Sequence, residues 1–338
     1  MQTRTATGSY ENRASNFTYL AHGGVSSLML GNNRWENAQY NNRLQVTQVG
    51  MGTSSADTSL LKIDYNYGTS SNNNGSLQSQ TIAFTGYSGT ISQSYVYDNL
   101  NRIQSATENY AGGQSWKESF SYDRFGNRRF DAANTTTIAG CPQNVCNPTI
   151  NQANNRIDAG QGVSYDQGGN VMQDAGGQRF SYDAENHQIG FFAGNNGGST
   201  PNATYFYDGD GRRVRKIDGT RETVFVYNAS GSLIAEYETN FTPAAATTKY
   251  LTQDHLGSPR VITDQNGAIV SRHDYRAFGE EVYSGTANRS NTQGYGQADG
   301  IRKQYTGYER DYESGLDFAQ ARYYNSKLGR FTSVDPLT

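Results

Sequence analysis

A tyrosine followed by aspartate recurs along this chain, and no other feature restricts its folding so strongly. YVYD at 95–98 leads to Asn101-Arg102-Ile103, and FSYD at 120–123 leads to Gly126-Asn127-Arg128. VSYD at 163–166 leads to Gly169-Asn170-Val171, FSYD at 180–183 to Asn186-His187, and YFYD at 205–208 to Gly211-Arg212-Arg213. FVYN at 225–228 leads to Gly231-Ser232-Leu233. The tyrosines at 97, 122, 165, 182, 207 and 227 are spaced by 25, 43, 17, 25 and 20 residues. The long gap holds Cys141 and Cys146 and has room for a degenerate unit at Asn155-Arg156-Ile157. A period of this size marks one supersecondary unit copied many times.

The unit reads as a β-hairpin. Side chains alternate across a strand, so an aromatic-x-Tyr pair puts two rings on one face. The Asp can accept backbone N–H groups and open a turn, and the Gly or Asn after it tolerates a left-handed backbone. Arg then begins the returning strand, where it is a cross-strand partner for Asp and Tyr. A lone hairpin is barely stable in water, whereas stacked hairpins cover one another's edges and align their rings. The expected fold is all-β, a curved antiparallel ribbon. Weaker copies precede it: NNRLQV at 41–46, a hairpin from 61–67 and 76–84 around a polar turn at 68–75, and a turn with a strand at 22–30. The polar, Gly-bearing patches 70–75, 195–200 and 287–297 read as surface loops. FAQARY at 318–323 suits either a helical turn or a strand.

Composition agrees with a sheet. Leu, Ile, Val and Phe make up roughly 16% of the chain, low for a packed globule, and mean hydropathy is -0.78. A net charge of -3 and 25 Tyr argue against disorder. Tyr can bury its ring while its hydroxyl stays wet, so the expectation is a thin sheet with two wet faces. The 38 Gly and 6 Pro suit frequent tight turns between unbroken ladders. The 338 residues could hold two or three domains, or one large all-β unit. Near-neutral charge gives no footprint for nucleic acid or an anionic membrane. No apolar run approaches the roughly 20 residues of a membrane span. MQTRTATGSYENR lacks the apolar stretch of a secretory signal and begins in mid-pattern, as a piece of a longer protein would.

Few residues point to chemistry on their own. Cys141 and Cys146 read as free thiols or a small loop disulfide, with no partners for a metal. His22, His187, His255 and His273 have no ligand spacing. Asp208-Gly209-Asp210-Gly211 opens like a calcium loop, but its twelfth position is Gly219 where a Glu is needed, so it reads as a repeat turn. Neither a phosphate loop nor a nucleophile elbow occurs, and no cofactor or metal is called for.

The C-terminal part carries a longer ordered series. DHLGSPR at 254–260 and YRAFGE at 275–280 are followed by TGYERDYESGLDFAQARYYNSKLGRFTSVDP at 306–336. This series closely resembles the core of RHS (rearrangement hotspot) proteins, the YD-repeat family. The resemblance implies two regions: a ribbon of YD-repeat hairpins at 1–248, forming part of a β-shell, and an RHS core at 249–338 that closes it. It implies a shell or scaffold segment of a polymorphic toxin, which encapsulates and delivers a C-terminal toxin absent from this chain. The wet, Tyr-rich inner face would hold that cargo. The implied partners are the cargo and secretion machinery, and the implied location is secreted or cell-surface, by a signal-less or upstream-encoded route. Asp254 and His255 lie in the core motif, with a structural hydrogen-bonding role expected.

The same core resembles a self-cleaving, aspartyl-protease-like region that cuts the chain just downstream. Asp335 matches the Asp of the family's Asp-Pro motif and Arg322 an upstream Arg, which makes them the candidate catalytic residues. Such chemistry needs two carboxylates sharing a proton, and Asp311, Glu313 and Asp317 are the candidates for the second. Two departures stand beside the match. Leu337-Thr338 replaces the D-P-x-G-L continuation of many cleaving relatives, and Tyr323 follows Arg322 where some have an acid. Alternative readings are a cell-surface adhesion protein that binds surface glycans through Tyr, Asn, Gln and Asp, and a self-processing protease.

Overall fold

The computed structural model describes residues 2–4, 8–87, 89–136, 146–194, 198–231, 233–239 and 248–335. Most of its repeat turns obey one local rule. Asp98 Oδ1 accepts the N–H groups of Leu100 and Arg102 at 2.9 and 3.0 Å, and Asn101 between them has φ 58°. Asp123 does the same for Phe125 and Asn127, with Gly126 at φ 85°. Asp174, Asp183, Asp208, Asp254 and Asp264 repeat this two-and-four pattern, and Asn41 imitates it. A carboxylate that satisfies two N–H groups of its own turn selects that turn before any tertiary contact forms. The Asp208 motif is thus a repeat turn.

At four of the six repeats the tyrosine before the turn ties one unit to the previous one. The hydroxyls of Tyr97, Tyr122, Tyr207 and Tyr227 donate to the carbonyls of Leu77, Ile103, Gln188 and Arg213 at 2.7, 2.6, 2.8 and 2.9 Å. Repeat arginines behave partly as expected. Arg102 pairs with Asp98 at 2.6 Å and stacks 4.4 Å from the Tyr122 ring.

Stacked in this way, ten strands from Ala14–Tyr19 to Arg128–Phe130 form one consecutive antiparallel meander. A two-stranded hairpin of Ile150–Asn151 and Arg156–Ile157 fills the long gap, with Asn155 at φ 58°. Eight further strands from Ser164–Tyr165 to Leu233–Thr239 form the second meander. The sheets are open, and the architecture is an all-β curved ribbon. Residues 249–335 add a three-stranded sheet (Tyr250–Gln253, Pro259–Thr263, Ile269–Arg272) and a four-stranded one (Glu309–Asp311, Leu316–Phe318, Tyr323–Asn325, Arg330–Phe331). Residues 318–323 are therefore the end of one strand, a turn with Gln320 at φ 66°, and the start of the next. Among the described residues no helix is long and apolar enough to cross a membrane. Cys146 is buried beside Phe120 and Phe130, and Cys141 lies outside the described residues.

The expected two wet faces are not what forms. Residues 249–335 lie against one face of the ribbon and dry it. Met51, Ile63, Ile82 and Ile91 of the first sheet pack with Val261 and Tyr295, and Phe180, Phe191 and Tyr205 of the second with Leu316, Phe318 and Tyr323. Between them, Phe120 meets Phe278 edge-on at 5.0 Å. Strand alternation makes this possible: Leu61, Ile63 and Tyr65 point inward while Lys62 and Asp64 face out. Fully burying an aliphatic side chain contributes about 1.5–3 kcal/mol, so a thin layer of such residues suffices once a second layer covers it.

Candidate functional site

The two residues matched to a catalytic role come together. Arg322 ends the turn before the strand Tyr323–Asn325, and its guanidinium lies 3.9 Å from the centre of the Phe331 ring. It reaches the Asp335 carboxylate at 3.3 Å, and the Asp335 side chain is 74% exposed. The last described segment is fastened to the ribbon: Val171 N–H donates to Thr332 O at 2.9 Å, and Val334 N–H to Asn170 Oδ1 at 3.3 Å. Both residues line a cleft of about 660 Å³ that also contains Arg156, Asp174 and Arg330.

The three candidates for a second carboxylate do not line that cleft. Asp311 is fully buried and accepts from Arg213 at 2.5 Å and Lys216 at 3.0 Å. Burial opposes its charge, but these two cations outweigh that and hold its carboxyl below the usual carboxylate range. Glu313 pairs with Lys216 at 2.7 Å and accepts from Tyr205, and Asp317 takes a two-pronged grip from Arg310 at 2.5 and 3.0 Å. The other carboxylate on the cleft is Asp174. Its Oδ1 accepts the N–H groups of Gly176 and Gln178, and burial pushes its carboxyl upward. In this arrangement Asp335 is ion-paired and faces solvent, and it shares the cleft with a carboxyl that burial shifts upward.

A second concentration of charge was not foreseen. The patch 287–297, expected as a surface loop, instead carries Arg289 and Tyr295 into the interior, each 2% exposed. Arg289 donates to both oxygens of Glu108 on the ribbon, and through Nε and Nη2 to Asp274 at 2.9 and 2.8 Å. Asp274 also accepts from Arg260 and from Tyr295 at 2.8 Å. Burial opposes its charge, yet Arg260 and Arg289 prevail and hold it down at about 2. From Glu108 the network runs along one cross-strand row, through Gln93 to Gln80 at 2.8 and 2.5 Å. At the far end of the chain, Arg213 joins Asp311, Glu309 and the Tyr323 hydroxyl under the Phe318 ring. These groups form an ionic seam between ribbon and covering segment. One sequence signal marks them: Glu108, Glu118 and Arg213 occupy strand positions whose alternation points inward, where an apolar residue belongs.

His273 sits in the seam with Ser271, Glu281 and Asp299. Its Nε2 lies 3.2 Å from Ser271 Oγ and 2.8 Å from Asp299, and Nδ1 lies 2.7 Å from Glu281. The spacing is that of a nucleophile, a base and an orienting acid, but the chemistry is not. Ser271 donates its proton to Asp299. Burial disfavours a charged His273, yet the hydrogen bonds to Asp299 and Glu281 outweigh it and raise the imidazole to about 9. A protonated imidazole cannot act as a base, so the group is a clamp. Asp254 holds its own turn, and His255 packs on the Tyr65 ring at 4.3 Å while donating its N–H to the Tyr65 hydroxyl, the structural role expected of that motif.

No family model matches the chain. It is 29% identical over 238 residues to the tRNA nuclease WapA of Bacillus subtilis, which covers 64% of this chain. The chain spans only about a tenth of the length of that relative, 9%. Among solved structures, the Tc holotoxin pore of Photorhabdus luminescens carrying TccC3-D651A aligns with 97% of this chain at a TM-score of 0.74 and 19% identity. A TcdB2–TccC3–Cdc42 complex aligns with 99% at a TM-score of 0.75 and 19% identity. In both, the match covers 18% of the solved chain. These likenesses support an RHS-like fold for this chain.

Proposed function

We propose that this chain is a wall-and-closure segment of a polymorphic-toxin shell, a non-enzymatic scaffold that surrounds and delivers a toxin encoded beyond it. One observation carries this reading: the ribbon is sealed along one face by residues 249–335 through buried ion pairs such as Glu108–Arg289 and Asp311–Arg213. A binding platform presents its polar groups to a ligand, whereas these are spent on holding a cover in place. The sequence likeness to a nuclease and the fold likeness to Tc toxin chains support it. The toxin cargo and a secretion apparatus are the partners in this reading, and the protein acts outside the cell or at its surface.

Self-cleavage is the second reading, favoured by the Arg322–Asp335 pair in a cleft that the half-buried Asp174 shares. Asp174 then takes the place of the second acid. The experiment expresses the natural reading frame extended past Thr338, with Asp335→Asn and Asp174→Asn variants. It reads intact mass and protease protection of the downstream part. A downstream part that resists protease while the wall is folded supports the shell; one digested as fast as the isolated segment refutes it. A cut just beyond Asp335 that both variants abolish establishes self-processing, and an uncut parent removes it.

A further inference from the structure

We propose that the cleft between residues 154–176 and 322–335 binds a polypeptide carboxylate, and that Asp335 occupies one of its positions as an internal stand-in. This holds whether or not the shell reading does. Three guanidiniums line the cleft, from Arg156, Arg322 and Arg330, against the carboxylates of Asp174 and Asp335. Asp174 is committed to its own turn, which leaves one exposed carboxylate for three cations. Arg330 donates through Nη2 to Asn155 O at 3.2 Å, but its Nη1 is buried with no partner among the described residues. An unpaired buried donor of this kind carries a desolvation cost that a ligand oxygen would remove.

The arginines are also laid out for planar recognition. Arg156 stacks 5.3 Å from the Tyr165 ring and Arg322 3.9 Å from Phe331, which turns their donor edges outward to grip a carboxylate, as Arg322 already grips Asp335. Gly169, at φ 97°, lets the backbone approach: a Cβ there would stand 3.0 Å from Arg156 Nη2 and 3.1 Å from Val334 Cγ2. The apolar walls and the volume of about 660 Å³ fit a few residues of peptide better than a bare inorganic anion. The Arg322–Asp335 ion pair shows the cleft already holding a carboxylate, and its exposure makes it displaceable.

Calorimetric titration of the 338-residue chain with a capped pentapeptide carrying one central glutamate tests this. Saturable binding is expected, weakened about tenfold or more by Arg330→Ala or Arg156→Ala. It should tighten by up to about fivefold in Asp335→Asn, which frees Arg322. Because Asp335 is exposed, that variant keeps the fold and still tests the idea if the arginine variants unfold. A tri-alanine peptide with a free carboxyl end separates the two sources: tighter binding assigns a chain terminus, weaker binding an acidic side chain. The proposal is overturned if neither peptide saturates, if inorganic phosphate binds as tightly, or if Asp335→Asn leaves affinity unchanged.

Discussion

Replacing Arg289 by methionine should unfasten the covering segment from the ribbon. The guanidinium is fully buried and makes charge-assisted bonds to both Glu108 oxygens and to Asp274. Without it, Asp274 keeps Arg260 and Tyr295, but among the described residues Glu108 keeps only Gln93. A single charge-assisted bond contributes about 1.5–3 kcal/mol, whereas a buried carboxylate left without its cation costs about 3–5 kcal/mol. The second figure applies here, because Glu108 is fully buried and cannot recruit water. With a urea m-value of about 3 kcal/mol/M the midpoint falls by roughly 1–2 M. Trp116 is the reporter: it is 1% exposed and stands directly across the ladder from Glu108. A Trp35→Phe background isolates its fluorescence. The double variant Glu108→Gln with Arg289→Met removes both charges, so it should be more stable than Arg289→Met alone. A loss below about 1 kcal/mol in the single variant, or a double variant worse than the single one, would refute the account.

Three smaller tests probe other links. Tyr122→Phe removes the 2.6 Å bond to Ile103 O and should cost about 1 kcal/mol, with faster hydrogen exchange confined to the junction between those two hairpins; unchanged exchange there would discount the tyrosine tie. His273 titrates at about 9 when folded, above its ordinary 6.5. Its contribution is therefore whole below pH 6.5 and lost as pH rises through 9, about 3 kcal/mol in all; urea midpoints that fall equally in His273→Gln over that window would exclude it. Glu280 is raised to about 7, by burial and then by Glu118, so it costs increasing stability from pH 4.5 to 7. Glu280→Gln should stabilise the protein above pH 7 by an amount on the order of 3 kcal/mol and do nothing at pH 4.5; equal effects at both pH values would contradict this.

The hairpins were legible in the sequence because everything that builds them is local. Asp98 needs only the N–H groups two and four residues on, and Asn101 needs only a tolerance for positive φ. Strand alternation placed Tyr95 and Tyr97 on one face, and the repeat spacing required the stack. The degenerate unit at Asn155-Arg156-Ile157 followed the same grammar. Arg322 and Asp335 are singled out as separate candidates by a family resemblance rather than by spacing, and only the structure pairs them.

The tertiary structure alone decided which charges are spent and which are free. Asp311, Glu313 and Asp317 looked equivalent as acids, yet Asp311 and Glu313 are claimed by Arg213 and Lys216, about a hundred residues away in sequence. Arg289 sat in a stretch of polar residues that resembled a surface loop, and only its meeting with Glu108, 181 residues earlier, made it interior. The reason is physical. Turn geometry is selected by hydrogen bonds within five residues, which the sequence states directly. A buried ion pair forms only where two distant segments exclude water together, and the sequence does not record which pair of segments that will be.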